Sequence, residues 1–125
     1  MCKIINLTPH EVTLYADKDC MEVTKGNYTT LVLKEGAKPI KVLASEGVAR
    51  ATSTKQLMYT IDNIPVYSTV YGEVEGLPEP RSNTYYLVSA LTAQAVKNRH
   101  DILIVDGAVR DNEGKIVGCT AFGRI

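Results

Sequence analysis

Most of the chain is a succession of short stretches rich in β-branched and aromatic residues, separated by glycine, proline, asparagine and aspartate. This is the pattern of consecutive strands and turns. "CKIINLTP" and "EVTLYA" predict a strand pair at the start, divided by "TPH", because Pro9 has no N–H to give a central ladder. Residues 17–30, "DKDCMEVTKGNYTT", are polar and irregular, and "LVLKEGAKPIKVLA" predicts two strands joined through Gly36 to Pro39. Residues 17–43 together make an elaborated arm. "GVARATST", "LMYTI" and "IPVYSTVYGEV" alternate in part and are interrupted by "DN", predicting consecutive antiparallel strands. "EGLPEPRSN" is a restricted loop that ends at a further strand, "TYYLVS". "DILIVDGAV" and "KIVGCTAFGRI" close the chain as strands around the turn "DNEG", so that residues 107–118 form a β-hairpin with Arg110 at its mouth.

One segment reads as a helix. "SALTAQAVKNRH", near residues 89–99, offers Ser89 as a cap, alanines and Leu91 as helix formers, and Lys97, Arg99 and His100 for the negative C-terminal end. One helix against many strands predicts a mainly β (α+β) fold, a decorated β-sandwich-like domain with the helix on one side. At 125 residues the chain fits a single domain spanning 1–125.

Charge narrows the partners. Fourteen basic side chains balance fourteen acidic ones without a run of four or more like charges, so a long polyanion finds no electrostatic track. DNA and RNA are therefore not expected partners, whereas a small anion needs only two or three convergent arginines. "MCKIINLTPH" carries the pattern of neither a signal peptide nor a membrane helix, so no membrane partner and a cytoplasmic location are expected. Cys2, Cys20 and Cys119 are odd in number and lack C-x-x-C spacing, as suits reduced thiols.

Catalytic patterns are sparse. His100 and Asp101 form the dipeptide "HD" found in one class of metal phosphohydrolases, but only His10 remains to complete a ligand set, so no metal and no cofactor are expected. Cys119 sits in the apolar run "IVGCTAF" and reads as a small core residue. No G-x-S-x-G, Walker or dinucleotide fingerprint occurs, and a non-enzymatic protein is expected. Seven of the eight aromatic residues are tyrosines. Tyr67, Tyr71, Tyr85 and Tyr86 surround the proline loop and offer stacking faces for a base beside their ordinary packing role. Arg50, Arg81, Arg99, Arg110 and Arg124 are the phosphate candidates, with His100 beside them. A surface arginine is by default solvated or weakly paired. Arg50 in "GVARAT" and Arg110 at the hairpin mouth stand out, because a rigid support lowers the entropy cost of holding a ligand.

In this order along the chain, "INLTPHEVTL", "SEGVARA", "IPVYSTVYGEVEGLPEP", "TYYLVSALTAQAV" and "GAVRDNEGKIVG" resemble the small phage and prophage proteins of the first Thoeris anti-defence family. The resemblance covers most of the chain. It implies a sponge that binds cyclic ADP-ribose isomers made by bacterial TIR enzymes, without cleaving them, in the cytoplasm of the host bacterium. It further implies a homodimer or hexamer with the ligand pocket at a subunit interface, and a second site for cyclic di- or trinucleotides in some members. Carried over by motif, Arg50 of "GVAR" and Arg110 of "AVRD" lie nearest the phosphates, with Asp111, Asn98 and tyrosines near "YGEVEGLP" as further contacts. The arm over residues 17–43 is longer than the family pattern, and "HDILIVDGAV" is shorter and more apolar. The alternatives are an enzyme that degrades such signals through His10 or His100, and a structural protein that assembles through its β-edges.

Overall fold

The computed structural model describes residues 2–125. In chain order the elements are β1 (Lys3–Asn6), β2 (Val12–Leu14), β3 (Cys20–Lys25), β4 (Tyr28–Leu33), β5 (Lys41–Leu43), β6 (Arg50–Ile61), β7 (Ile64–Glu75), β8 (Thr84–Leu87), α1 (Ala90–Ala95), β9 (Ile102–Arg110) and β10 (Ile116–Gly123). The chain is mainly β with one short α-helix among the described residues, as the sequence pattern predicts.

Six strands follow the order β1-β8-β9-β10-β2-β5, and a parallel bridge between Asn6 and Ser45 brings the far end of this path back to β1. The sheet thereby curls into a barrel-like arrangement, with side chains alternating between its interior and a second apolar layer outside. Leu14, Leu43, Leu87 and Cys119 meet inside, joined by Ile4, Val12, Leu103 and Phe122. On the opposite side of β1, β8 and β9, the cluster of Leu7, Ala49, Tyr86, Val88, Ala93 and Ile102 is covered by α1 and by Leu77 of the proline loop.

Closure depends on Asn6, which is fully buried. Its Nδ2 donates to the carbonyls of Leu43 and His10, at 2.9 Å each, and its Oδ1 accepts from the Thr8 backbone N–H at 2.9 Å. A buried amide with its donors and acceptor satisfied costs little and fixes the geometry around it. The "NLTPH" stretch therefore serves to weld β1 to the end of β5. The expected pairing of β1 with β2 is corrected here: β1 pairs with β8, and β2 pairs with β10 and β5. Pro9 and the Asn6 network turn the chain out of the first strand before it can fold back on itself.

Two hairpins decorate the barrel. The segment expected to be irregular, residues 17–30, contains β3 and the start of β4, an antiparallel pair turning at Gly26, whose φ of 60° suits the first position of a two-residue hairpin turn. β4 then runs parallel to the end of β9 at Leu31 and Val32, so β4 and β5 do not pair with each other. β6 and β7 form a separate ribbon, each strand twelve residues long, turning at Asp62 and Asn63 with φ of 48° and 66°. Positive φ at both central residues is what a tight hairpin turn of this kind requires, and Asp and Asn tolerate it. The stretches "GVARATST" and "LMYTI" thus fall largely within one continuous strand.

The helix is shorter than the sequence predicts. Ser89 caps it by accepting from the Thr92 N–H, but it ends at Val96, and Lys97, Arg99 and His100 lie beyond it. The reason is the ladder that follows: Tyr86 donates its N–H to the Asp101 carbonyl at 2.8 Å, so the chain must leave the helix in time to enter β9 beside β8.

Candidate functional site

The hairpin of β9 and β10 is rigid at its turn because Asp111 organises it. The carboxylate of Asp111 accepts from the N–H groups of Glu113 and Lys115, at 2.9 and 3.0 Å, and Gly114 takes the left-handed φ of 85° that the turn demands. Arg110 donates from Nη1 to the Gly114 carbonyl at 2.7 Å, which fixes its guanidinium across the turn. The remaining donors of that fork are free for an anion.

This guanidinium borders a cavity of about 420 Å³ between the β9–β10 turn and the β3–β4 hairpin. Met21, Val23 and Val32 line its apolar wall, with Thr30, Lys25 and Asp111 around it. The wall follows from strand alternation. Cross-strand pairing of Met21 with Val32, Val23 with Thr30 and Lys25 with Tyr28 places these residues on one face of the hairpin. Tyr28, three-quarters exposed, stands opposite Lys25 at the tip. Two cations over an apolar wall beside an exposed tyrosine are suited to an anion with a flat, weakly polar portion.

The other predicted residues are distributed elsewhere. Arg50 lines a second cavity of about 280 Å³ with Leu7, Pro9, Val48, Leu91 and Thr92. Tyr85 and His100 line a third, about 220 Å³, with Arg81 and Asp101. Arg124 is outside that lining but approaches His100, its Nη2 lying 3.5 Å from the ring Nδ1. Tyr71 is on the exposed β6–β7 ribbon opposite Ser53, and Asn98 is exposed in the turn after α1. Arg50 and Arg110 therefore do not converge within one chain. The sequence-based reading passed over Lys25, Met21, Val23 and Tyr28, although the alternation of "MEVTK" before "GN" carried the signal.

Two candidates are committed to the fold. Tyr86 is fully buried, and its hydroxyl donates to the Glu79 carbonyl at 3.3 Å. Arg99 makes a bidentate pair with Asp101, at 2.9 and 2.6 Å, and donates to the Pro78 carbonyl at 3.0 Å, with its guanidinium 5.8 Å from the Tyr86 ring centroid. Hydrogen bonding to Arg99 holds the Asp101 carboxyl below its ordinary range, against the upward push of burial. Among the described residues this is the only ion pair, so Lys25, Arg50, Arg81, Arg110 and Arg124 have no carboxylate within 4.0 Å.

Nucleophile and metal candidates find little support nearby. Cys119 is buried, and burial pushes its thiol up, which keeps it protonated and poorly nucleophilic at neutral pH. Among the described residues no three His, Cys, Asp or Glu side chains are grouped to hold a metal ion, and no helix is long and apolar enough to cross a membrane. No protein-family model, no curated protein and no solved structure matches the chain.

Proposed function

We propose that the protein captures a cyclic ADP-ribose isomer in the cavity bordered by Arg110 and releases it chemically unchanged. In this reading it withholds a TIR-derived signal from the Thoeris effector in the cytoplasm of a host bacterium. The observation that carries it is Arg110, an unpaired guanidinium locked to a hairpin turn at the edge of a cavity of about 420 Å³. Lys25 supplies a second cation and Met21, Val23 and Val32 an apolar wall, so a pyrophosphate and a base each have a complementary surface. The resemblance of "GAVRDNEGKIVG" and its companion stretches supports the same ligand class.

Sequestration below the working concentration of a signal calls for nanomolar binding, about 12 kcal/mol. A charge-assisted hydrogen bond nets about 1.5 to 3 kcal/mol, so Arg110 and Lys25 alone fall short. A homodimer or hexamer, in which a second copy brings further donors to the pocket, supplies the remainder. Arg50 is the donor the resemblance selects for that role. Cyclic di- or trinucleotides are a second ligand class of the same reading.

Calorimetry of the protein with cyclic ADP-ribose isomers, followed by heat denaturation and analysis of the released nucleotide, tests the proposal. Wild-type protein binds and returns the intact nucleotide. Arg110→Gln, which leaves the Asp111-bonded turn in place, weakens binding by about 10- to 150-fold, as expected for loss of one charged contact. Unchanged affinity in that variant removes Arg110 from the site, and an altered nucleotide in the supernatant replaces capture with catalysis.

A further inference from the structure

The β6–β7 ribbon exposes apolar side chains on a scale that a free monomer does not sustain. Leu57, Met58, Tyr59, Ile61, Ile64 and Tyr67 are each more than half exposed. Beyond its own ladder the ribbon packs chiefly against α1, with Val74 at its base reaching the core. By alternation from the Ile61–Ile64 pair, Tyr59 and Val66 share one face with the two isoleucines, while Leu57, Pro65 and Tyr67 project from the other. An isolated two-stranded ribbon is marginal in water, and three or more strands or a packed face are needed to hold it.

The whole chain carries the same imbalance. Its accessible surface is 8897 Å², whereas a compact monomer of 13.7 kDa exposes about 6,600 Å². The surplus, about 2,300 Å², exceeds the roughly 800 Å² per partner of a standard interface and falls in the range of obligate homodimers.

We propose that the β6–β7 ribbon is a dimerisation arm that pairs with the same ribbon of a second copy of this chain. Charge selects this occupant. Between residues 56 and 71 the ribbon holds one charged side chain, Asp62 at the turn. An arm built to lie on an anionic bilayer carries an excess of lysines and arginines, whereas the two on this ribbon, Arg50 and Lys55, lie toward its base and are outnumbered by Asp62, Glu73 and Glu75. A two-fold contact brings each patch against its own copy, so an uncharged apolar patch meets no self-repulsion. Antiparallel pairing also sends the two Asp62 tips to opposite ends and turns two marginal ribbons into four adjacent strands. The ribbon is then where the second copy of the proposed sponge docks, whichever nucleotide it holds.

Analytical ultracentrifugation of the full chain without nucleotide, over about 0.1 to 100 μM, is the test. The expected mass is twice that of the chain, or a multiple of it, throughout the micromolar range. Ile61→Lys with Ile64→Lys raises the dissociation constant at least 100-fold, because pairing then desolvates ammonium groups. Leu57→Ser with Tyr67→Ser leaves the strand register intact and weakens pairing without adding charge. Circular dichroism and thermal melts identify any variant that fails to fold, and the other then decides. A wild-type monomer at every concentration overturns the proposal, whether or not it floats with phosphatidylcholine–phosphatidylglycerol vesicles. An undiminished dimer in a folded variant overturns it as well. Nucleotide binding enters none of these readouts, so failure here and failure at Arg110 are distinguishable.

Discussion

Arg99 and Arg110 are both phosphate candidates in the sequence, with Arg110 favoured for its hairpin, and their neighbours separate them further. Arg110 spends one donor on the Gly114 carbonyl and faces a cavity, whereas Arg99 spends its fork on Asp101 and Pro78 beneath the proline loop. Arg99 therefore fastens that loop to the start of β9. Both side chains of the pair are about four-fifths buried or more, which limits screening by water. Asp101→Asn is expected to lower stability at pH 7 by about 1 to 3 kcal/mol. Because Arg99 depresses the Asp101 pKa in the folded state, this contribution is complete above the unfolded value of about 3.9 and is lost as pH falls through the lower folded value. Urea titrations of both proteins should therefore differ fully at neutral pH and begin to converge only below about pH 4. A constant difference across that range would remove the ion pair as its cause.

At the scale of elements, the seam between β2 and β10 is one of the narrow parts of the barrel. It rests on the Cys119–Leu14 pairing and on the bond from the Tyr15 N–H to the Cys119 carbonyl at 2.9 Å. Gly118 allows this approach, since a Cβ there would lie 2.6 Å from the Thr13 carbonyl oxygen and 2.7 Å from the Tyr15 ring. Gly118→Ala is expected to force the strands apart and cost about 1 to 3 kcal/mol, read as a lowered urea midpoint. A midpoint within error of wild type would show that the seam yields freely. That glycine was visible in the sequence, but its purpose was not, because β2 and β10 are separated by most of the chain. The same limit explains the mistaken pairing of β1 with β2. Local features were legible: β-branched runs marked the strands, Ser89 marked the cap, and "DN" and "DNEG" marked two turns. The β3–β4 hairpin was missed because Glu22 and Thr24 are polar and exposed, and Met21, Val23 and Val32 line a cavity instead of a core. Arg110 was found from its hairpin, but Lys25 was not, since its place opposite the turn depends on β4 docking along β9.

For the whole molecule, the two proposed binding surfaces are chemically opposed, which gives them opposite responses to salt. The cavity at Arg110 offers cations to an anion, while the ribbon offers apolar groups with one acidic residue between positions 56 and 71. Ionic screening weakens the first contact, since the Debye length shrinks from about 10 Å at 0.1 M to about 3 Å at 1 M salt. Burial of apolar surface is not screened, and salts such as sulfate strengthen it. The net charge of +0 at pH 7 leaves little overall repulsion between copies for salt to relieve. Raising sodium chloride from about 0.05 to 0.5 M should therefore weaken capture of a cyclic ADP-ribose isomer several-fold while the dimer constant changes by less than about twofold. Replacing chloride with sulfate should tighten the dimer. Calorimetry and sedimentation on the same samples measure the two constants independently. Parallel loss of both would mean that charged contacts carry the dimer, and the ribbon would lose its assigned role. Salt-insensitive capture would instead show that the nucleotide is held by neutral donors and stacking, and Arg110 would not be the residue that grips it.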